Sequence, residues 1–189
     1  MSRPTLLEGP LLEPVTIAEA RKQCELGTST AHDDHLELLI QSAREQWEHD
    51  TDSCVITQVW SVTLDYFKGV EIELPKRPIQ EIADIQYYDQ GNVLRPLDEA
   101  VFSFNPAARK IHLNSQQSWP DVYDRWDAVT ITFVCGVDTV EEVPAIQKQA
   151  IRLLIGHYFE NRDMLMSDAM QAVKGYEHLV RRYLRTSYP

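Results

Sequence analysis

Residues 33–66, DDHLELLIQSAREQWEHDTDSCVITQVWSVTLDY, carry two hydrophobic periods back to back. In the first half Leu36, Leu39, Ile40, Ala43 and Trp47 follow the i, i+3, i+4, i+7, i+11 stripe of one helix face, and Glu37, Gln41, Arg44 and Glu48 fall on the opposite face. In the second half Ile56, Gln58, Trp60, Val62, Leu64 and Tyr66 alternate with Thr57, Val59, Ser61, Thr63 and Asp65, the two-residue period of a strand. A helix opening at Asp33 or Asp34 and ending near Asp50 thus gives way to β structure.

Working toward the N-terminus, Thr16-Ile17-Ala18-Glu19 reads as a capping box, so a first helix runs from Thr16 to about Leu26 and stops at Gly27. Before it, residues 1–14 hold three prolines and a glycine and read as an extended arm, which needs a neighbouring surface to lie on. Working toward the C-terminus, Val70, Ile72 and Leu74 alternate with Glu71 and Glu73, and Pro75-Lys76-Arg77-Pro78 ends that strand. Ile82 to Tyr88 reads as a third strand, with a turn at Asp89-Gln90-Gly91-Asn92 leading to Val93 and Leu94. Short strands are expected at Val101–Phe104 and Lys110–Leu113, and a last one at Val129, Ile131, Phe133 and Cys135, closed by Gly136. Helical period returns at Val143-Pro144, with Ile146, Ala150, Leu153, Leu154 and His157 or Tyr158 along one face as far as Arg162. Asp163–Ala172 reads as a methionine-bearing loop, and Gly175–Arg185 as a final short helix.

The fold class that follows is α+β: a helical core of two N-terminal and two C-terminal helices, with an antiparallel β insertion between them. The expected organisation is an arm at 1–15 and a single domain at 16–189. Within that domain helices occupy 16–50, the β insertion 55–136 and helices again 144–189.

The chain has 189 residues and a formal net charge of −11, with a sequence pI near 4.9. Tight non-specific binding to nucleic acid needs clustered cations, and this balance has the opposite sign. Three cysteines, Cys24, Cys54 and Cys135, match no zinc spacing and read as reduced, buried thiols of a reducing cytoplasm. The N-terminal segment does not read as a signal peptide, and no apolar run has the length of a membrane span.

The chemistry-bearing clusters are sparse. His32-Asp33-Asp34-His35 has the residue types of a metal site but no third ligand group, and Asp33 or Asp34 serves better as a helix cap. His157 and Glu160 stand three residues apart at the polar end of an apolar helix, with Asn161 and Arg162. No nucleophile elbow, phosphate loop or dinucleotide turn occurs. Catalytic, cofactor-binding and metal-binding residues are therefore assigned to none. Lys174, Arg181, Arg182 and Arg185 give the last helix a basic face against the sign of the chain, suited to an acidic partner or to solvent.

The order of certain segments resembles the head–tail connector (adaptor) family of long-tailed bacteriophages and prophages, in its longer branch with a β insertion. The segments are Glu13–Ala20, Val55–Trp60, Ile72–Ile79, Gln117–Pro120, Val129–Gly136 and Val143–Ile146 running on to Gly156–Arg162. The resemblance covers residues 13–162 and is weakest beyond Asp163. It implies a structural virion protein that assembles as a ring, typically dodecameric, beneath the portal protein. Such a ring extends the DNA channel without specific binding and presents a surface to the next connector or tail-completion protein. It implies no enzyme activity, no cofactor and no membrane, with synthesis in the bacterial host cytoplasm. On this basis the candidate interface is Glu160, Asn161, Arg162, Lys174, Arg181, Arg182 and Arg185. The alternatives are another neck or tail-completion protein, a small metal-dependent hydrolase built on His32, His35 or His157, and a nucleic-acid-binding module.

Overall fold

The computed structural model describes residues 4–161 and 174–186. The protein is α+β, and its chain divides into two compact units. Residues 1–10 and 57–137 form the β unit; residues 11–56 and 138–189 form the helical unit.

In the β unit, eight strands run β1 (Thr5–Glu8), β2 (Gln58–Leu64), β3 (Glu71–Glu73), β4 (Ile79–Tyr88), β5 (Leu94–Pro96), β6 (Phe102–Asn105), β7 (Lys110–Leu113) and β8 (Val129–Cys135). Five of them make an antiparallel sheet in the order β1-β2-β8-β4-β5, and three make a second in the order β3-β7-β6. β8 is central, and its alternation has the expected consequence: Val129, Ile131, Phe133 and Cys135 are buried. β4 starts at Ile79 rather than at the expected Ile82. Its register against β8 shifts between Ile79 and Glu81 and again between Ile82 and Asp84. Each bulge adds a residue, so isoleucines at 79, 82 and 85 are three apart rather than two, and the two-residue period is broken in the sequence. The turn after β4 is fixed by Asp89, whose Oδ1 accepts from the N–H groups of Gly91 (2.9 Å) and Val93 (3.0 Å).

In the helical unit, α1 spans Ile17–Gln23, α2 Asp33–Thr51, α3 Ala145–Glu160 and α4 Lys174–Thr186. The capping box is formed: Thr16 Oγ1 accepts from the Glu19 N–H (3.2 Å), and Glu19 Oε2 accepts from the Thr16 N–H (2.9 Å). α1 ends three residues before the expected Leu26. Glu25 takes the left-handed conformation (φ 56°), and the Leu26 N–H bonds Arg21 O at 3.0 Å, closing the helix before Gly27 is reached. α1 lies close to α3, where a Cβ on Gly156 would stand 3.3 Å from Gln23 Nε2.

Two expectations for α2 need correction. Its N-cap is His32, without a side-chain cap bond, and Asp33 instead receives Arg21 Nε at 2.7 Å, tying α1 to α2. Arg44 and Glu48, expected on the solvent face, are 5% and 7% exposed. Arg44 donates to Glu48 Oε2 (2.8 Å) and Glu13 Oε2 (2.9 Å), and Glu48 Oε1 accepts the Val55 N–H (2.8 Å), so each charge is compensated. The buried face of α3 is Gln147, Ala150, Ile151, Leu154 and Ile155, rotated slightly from the expected stripe. Trp47 is fully buried and meets Tyr176 and Tyr183 of α4 edge-on, at 6.1 and 5.2 Å between ring centroids.

Cys54 and Cys135 are disulfide-bonded rather than reduced, which leaves Cys24 as the free thiol among the described residues. The methionine-bearing loop expected at 163–172 lies outside the described residues.

Candidate assembly surface

α4 is amphipathic because its apolar and basic residues separate at helical spacing. Tyr176 is buried, its hydroxyl donating to Asp50 Oδ2 at 2.7 Å, while Leu179, Val180, Tyr183 and Leu184 are half-buried. Burial and the Asp50 carboxylate push the Tyr176 hydroxyl pKa well up, so it stays a neutral donor. Tyr158 is pushed up by the same two causes. With the aromatic side fixed on α2, Lys174, Arg181, Arg182 and Arg185 are left exposed. Arg181 lies 3.6 Å from Glu177 one turn earlier.

Glu160 and Asn161 sit at the other end of α3 from its proline start. Asn161 closes the helix, its backbone N–H reaching His157 O at 3.1 Å and its side-chain amide the same oxygen at 2.9 Å. Glu160 is exposed; burial first, and the nearby Glu160 charge second, push the Cys24 thiol up. Arg162 lies outside the described residues. The start of α4 lies against Leu153, where a Cβ on Gly175 would be 3.7 Å from Leu153 Cδ1. Seven residues of helix, about 10 Å, separate Leu153 from Glu160, so the two halves of the candidate interface do not meet at that contact.

Three of the histidines lie beside ring or amide groups. His32 and His35 lie against the Phe159 ring at 5.6 and 6.2 Å, and His157 Nδ1 is 3.2 Å from the Asn161 amide. Among the described residues no group of three His, Cys, Asp or Glu could hold a metal ion, and no helix is long and apolar enough to cross a membrane. Two open clefts of about 490 and 460 Å³ indent the β unit, and neither is lined by a serine, cysteine or histidine.

Sequence reading missed two exposed apolar features. Trp126 is 86% exposed on a loop that is nonetheless fixed. The Arg125 guanidinium covers the Tyr88 ring at 4.1 Å, Thr63 Oγ1 donates to Asp127 Oδ1 at 2.5 Å, and the Asp127 N–H bonds Asp65 Oδ1 at 3.1 Å. The N-terminal arm exposes Leu6, Leu7, Leu11 and Leu12. Clusters of leucines in a Pro- and Gly-bearing arm were the available signal; Trp126, flanked by Arg125 and Asp127, lacks the helical stripe that places Trp47 inside.

No protein-family model and no curated protein matches the chain. Solved structures do. A chain in the neck of an empty gene transfer agent (GTA) particle, computed with C6 symmetry, superposes with a TM-score of 0.78 at 21% identity, covering 96% of this chain and 95% of that one. A chain in the virion of a native GTA particle matches with a TM-score of 0.76, 21% identity and the same coverage of both chains. One in the neck of a native GTA particle, computed with C12 symmetry, matches at 0.70 and 20%, covering 95% and 94%. At this identity the likeness is one of fold, and it spans both units of the chain.

Proposed function

We propose that the protein is a structural component of a phage-type virion neck, a ring connector between portal and tail that extends the DNA channel and carries out no catalysis. The observation that carries this reading is the fold likeness over nearly the whole chain to neck proteins of symmetric particles. The partners in this reading are further copies of the chain, the portal protein, and the next connector or tail-completion protein. Its place is the virion, after synthesis in the host cytoplasm.

A ring formed head to tail needs two different patches on each subunit. The exposed basic face of α4 is assigned to an acidic partner surface, with the portal as its owner, and Glu160, Asn161 and Arg162 to a neighbouring subunit. The acidic excess is assigned to the channel wall, where it repels DNA and lets it slide. A ring structure with acidic side chains spread evenly over its outside would contradict that last assignment.

The test is binding to the purified portal protein. Reversing Arg181 and Arg185 to Glu should weaken portal binding at least about tenfold and flatten its salt dependence. Unchanged binding at every salt concentration would overturn the assignment of α4.

A further inference from the structure

The five-stranded sheet has two very different edges. At one, β5 is three residues long and carries Arg95 and Pro96, which blunt it against further pairing. At the other, β1 is Thr-Leu-Leu-Glu, without proline or lysine, and all four residues are exposed. β1 pairs with β2 through Thr5↔Ser61, Leu6↔Trp60 and Glu8↔Val59, with a bulge after Leu6. Its hold on β2 is therefore one of backbone bonds, with no side chain buried, which places it among the least stable elements of the fold.

The chain that follows is built to let β1 travel. Glu13 is held by Arg44 and Val15 is buried, so the arm is anchored there. Residues 9–14, including Gly9 and Pro10, form no helix or strand and can span about 20 Å when extended. Along this arm Leu6, Leu7, Leu11 and Leu12 are 46, 54, 98 and 52% exposed. Two pairs of leucines, either side of Gly9-Pro10, are thus left exposed in a single subunit.

We infer that in the assembled ring β1 is exchanged: β1 of one copy seats on β2 of the next, in the register seen within one chain. The inference rests on the ring reading proposed above. Exchange preserves every β1–β2 bond, so it requires no new complementarity, and it lays the leucines of the arm across the subunit junction. The occupant of the β2 edge is thus a second copy of this chain.

The experiment uses full-length protein with Cys24→Ser, which removes the free thiol. Thr5→Cys and Ser61→Cys are made in separate chains, mixed in equal amounts, assembled with the portal protein and mildly oxidised. A disulfide between the two variants can form only if the strand of one copy lies on another. The expected result is a covalent dimer at about a quarter of the junctions, the random-mixing share, and none from either variant alone. Should Ser61→Cys impair folding, Glu8→Cys with Val59→Cys samples the same ladder. Rings of full mass without the interchain bond would overturn the exchange and leave the ring intact. A protein that stays monomeric beside the portal would overturn the ring and the exchange together.

Discussion

Arg44 is buried on α2, its guanidinium held by the carboxylates of Glu13 and Glu48. Together with Glu48 it was legible as the outer face of an amphipathic helix, yet both side chains are buried, compensated by Glu13 and by the Val55 N–H. Glu13 lies 31 residues from Arg44, and the Val55 partner is a backbone group beyond the end of α2, so the period of the helix signals neither. Replacing Glu48 with Ala should cost about 3 kcal/mol, because it leaves the Arg44 charge buried with half its partners, and urea unfolding measures this. Tryptophans divide equally sharply. Trp47→Ala should destabilise by about 3–5 kcal/mol. Trp126→Ala should change stability by less than about 0.5 kcal/mol while weakening assembly, since an exposed aromatic on a fixed loop has the character of an interface anchor. Glu19 makes the helical unit acid-sensitive. Burial would raise its carboxyl pKa, but the Thr16 N–H, Arg152 and the Thr16 hydroxyl hold it below the ordinary 4.5. A lowered carboxylate contributes stability that is present above 4.5 and lost as pH falls through the folded value. The stability gap between the protein and Glu19→Gln should therefore narrow as pH falls below 4.5.

At the scale of elements, regular periods were readable and irregular ones were not. α2 and β8 begin and end within a residue or two of where their periods place them, because each buries one unbroken face. β4 hid its first three residues behind two bulges. α1 ends early because Glu25 already takes the left-handed conformation directly after Cys24, two residues before Gly27. Glu25→Gly should accordingly raise stability by about 0.5 kcal/mol, the left-handed strain relieved less the added chain entropy, as a higher unfolding midpoint. The arm was legible as extended and in need of a surface; that its surface is the edge of β2 is a long-range pairing that local pattern cannot express. The disulfide-bonded state of Cys54 and Cys135 likewise had no local signal.

For the whole molecule, the α+β class and the placing of a β segment between helical segments follow from one change of hydrophobic period at residues 51–56. The elements are shared between two compact units. The basic face of α4 was readable as a pattern, whereas which half of that helix faces inward depended on Trp47 and Asp50, more than a hundred residues away in sequence. The assembly claim is a statement about many copies, and mass measures it directly. Native mass spectrometry of the full chain, alone and with its portal protein, should reveal a ring-sized species. For twelve copies of the 21.8 kDa chain that mass is about 260 kDa. A species that remains at 21.8 kDa in both samples would contradict the account.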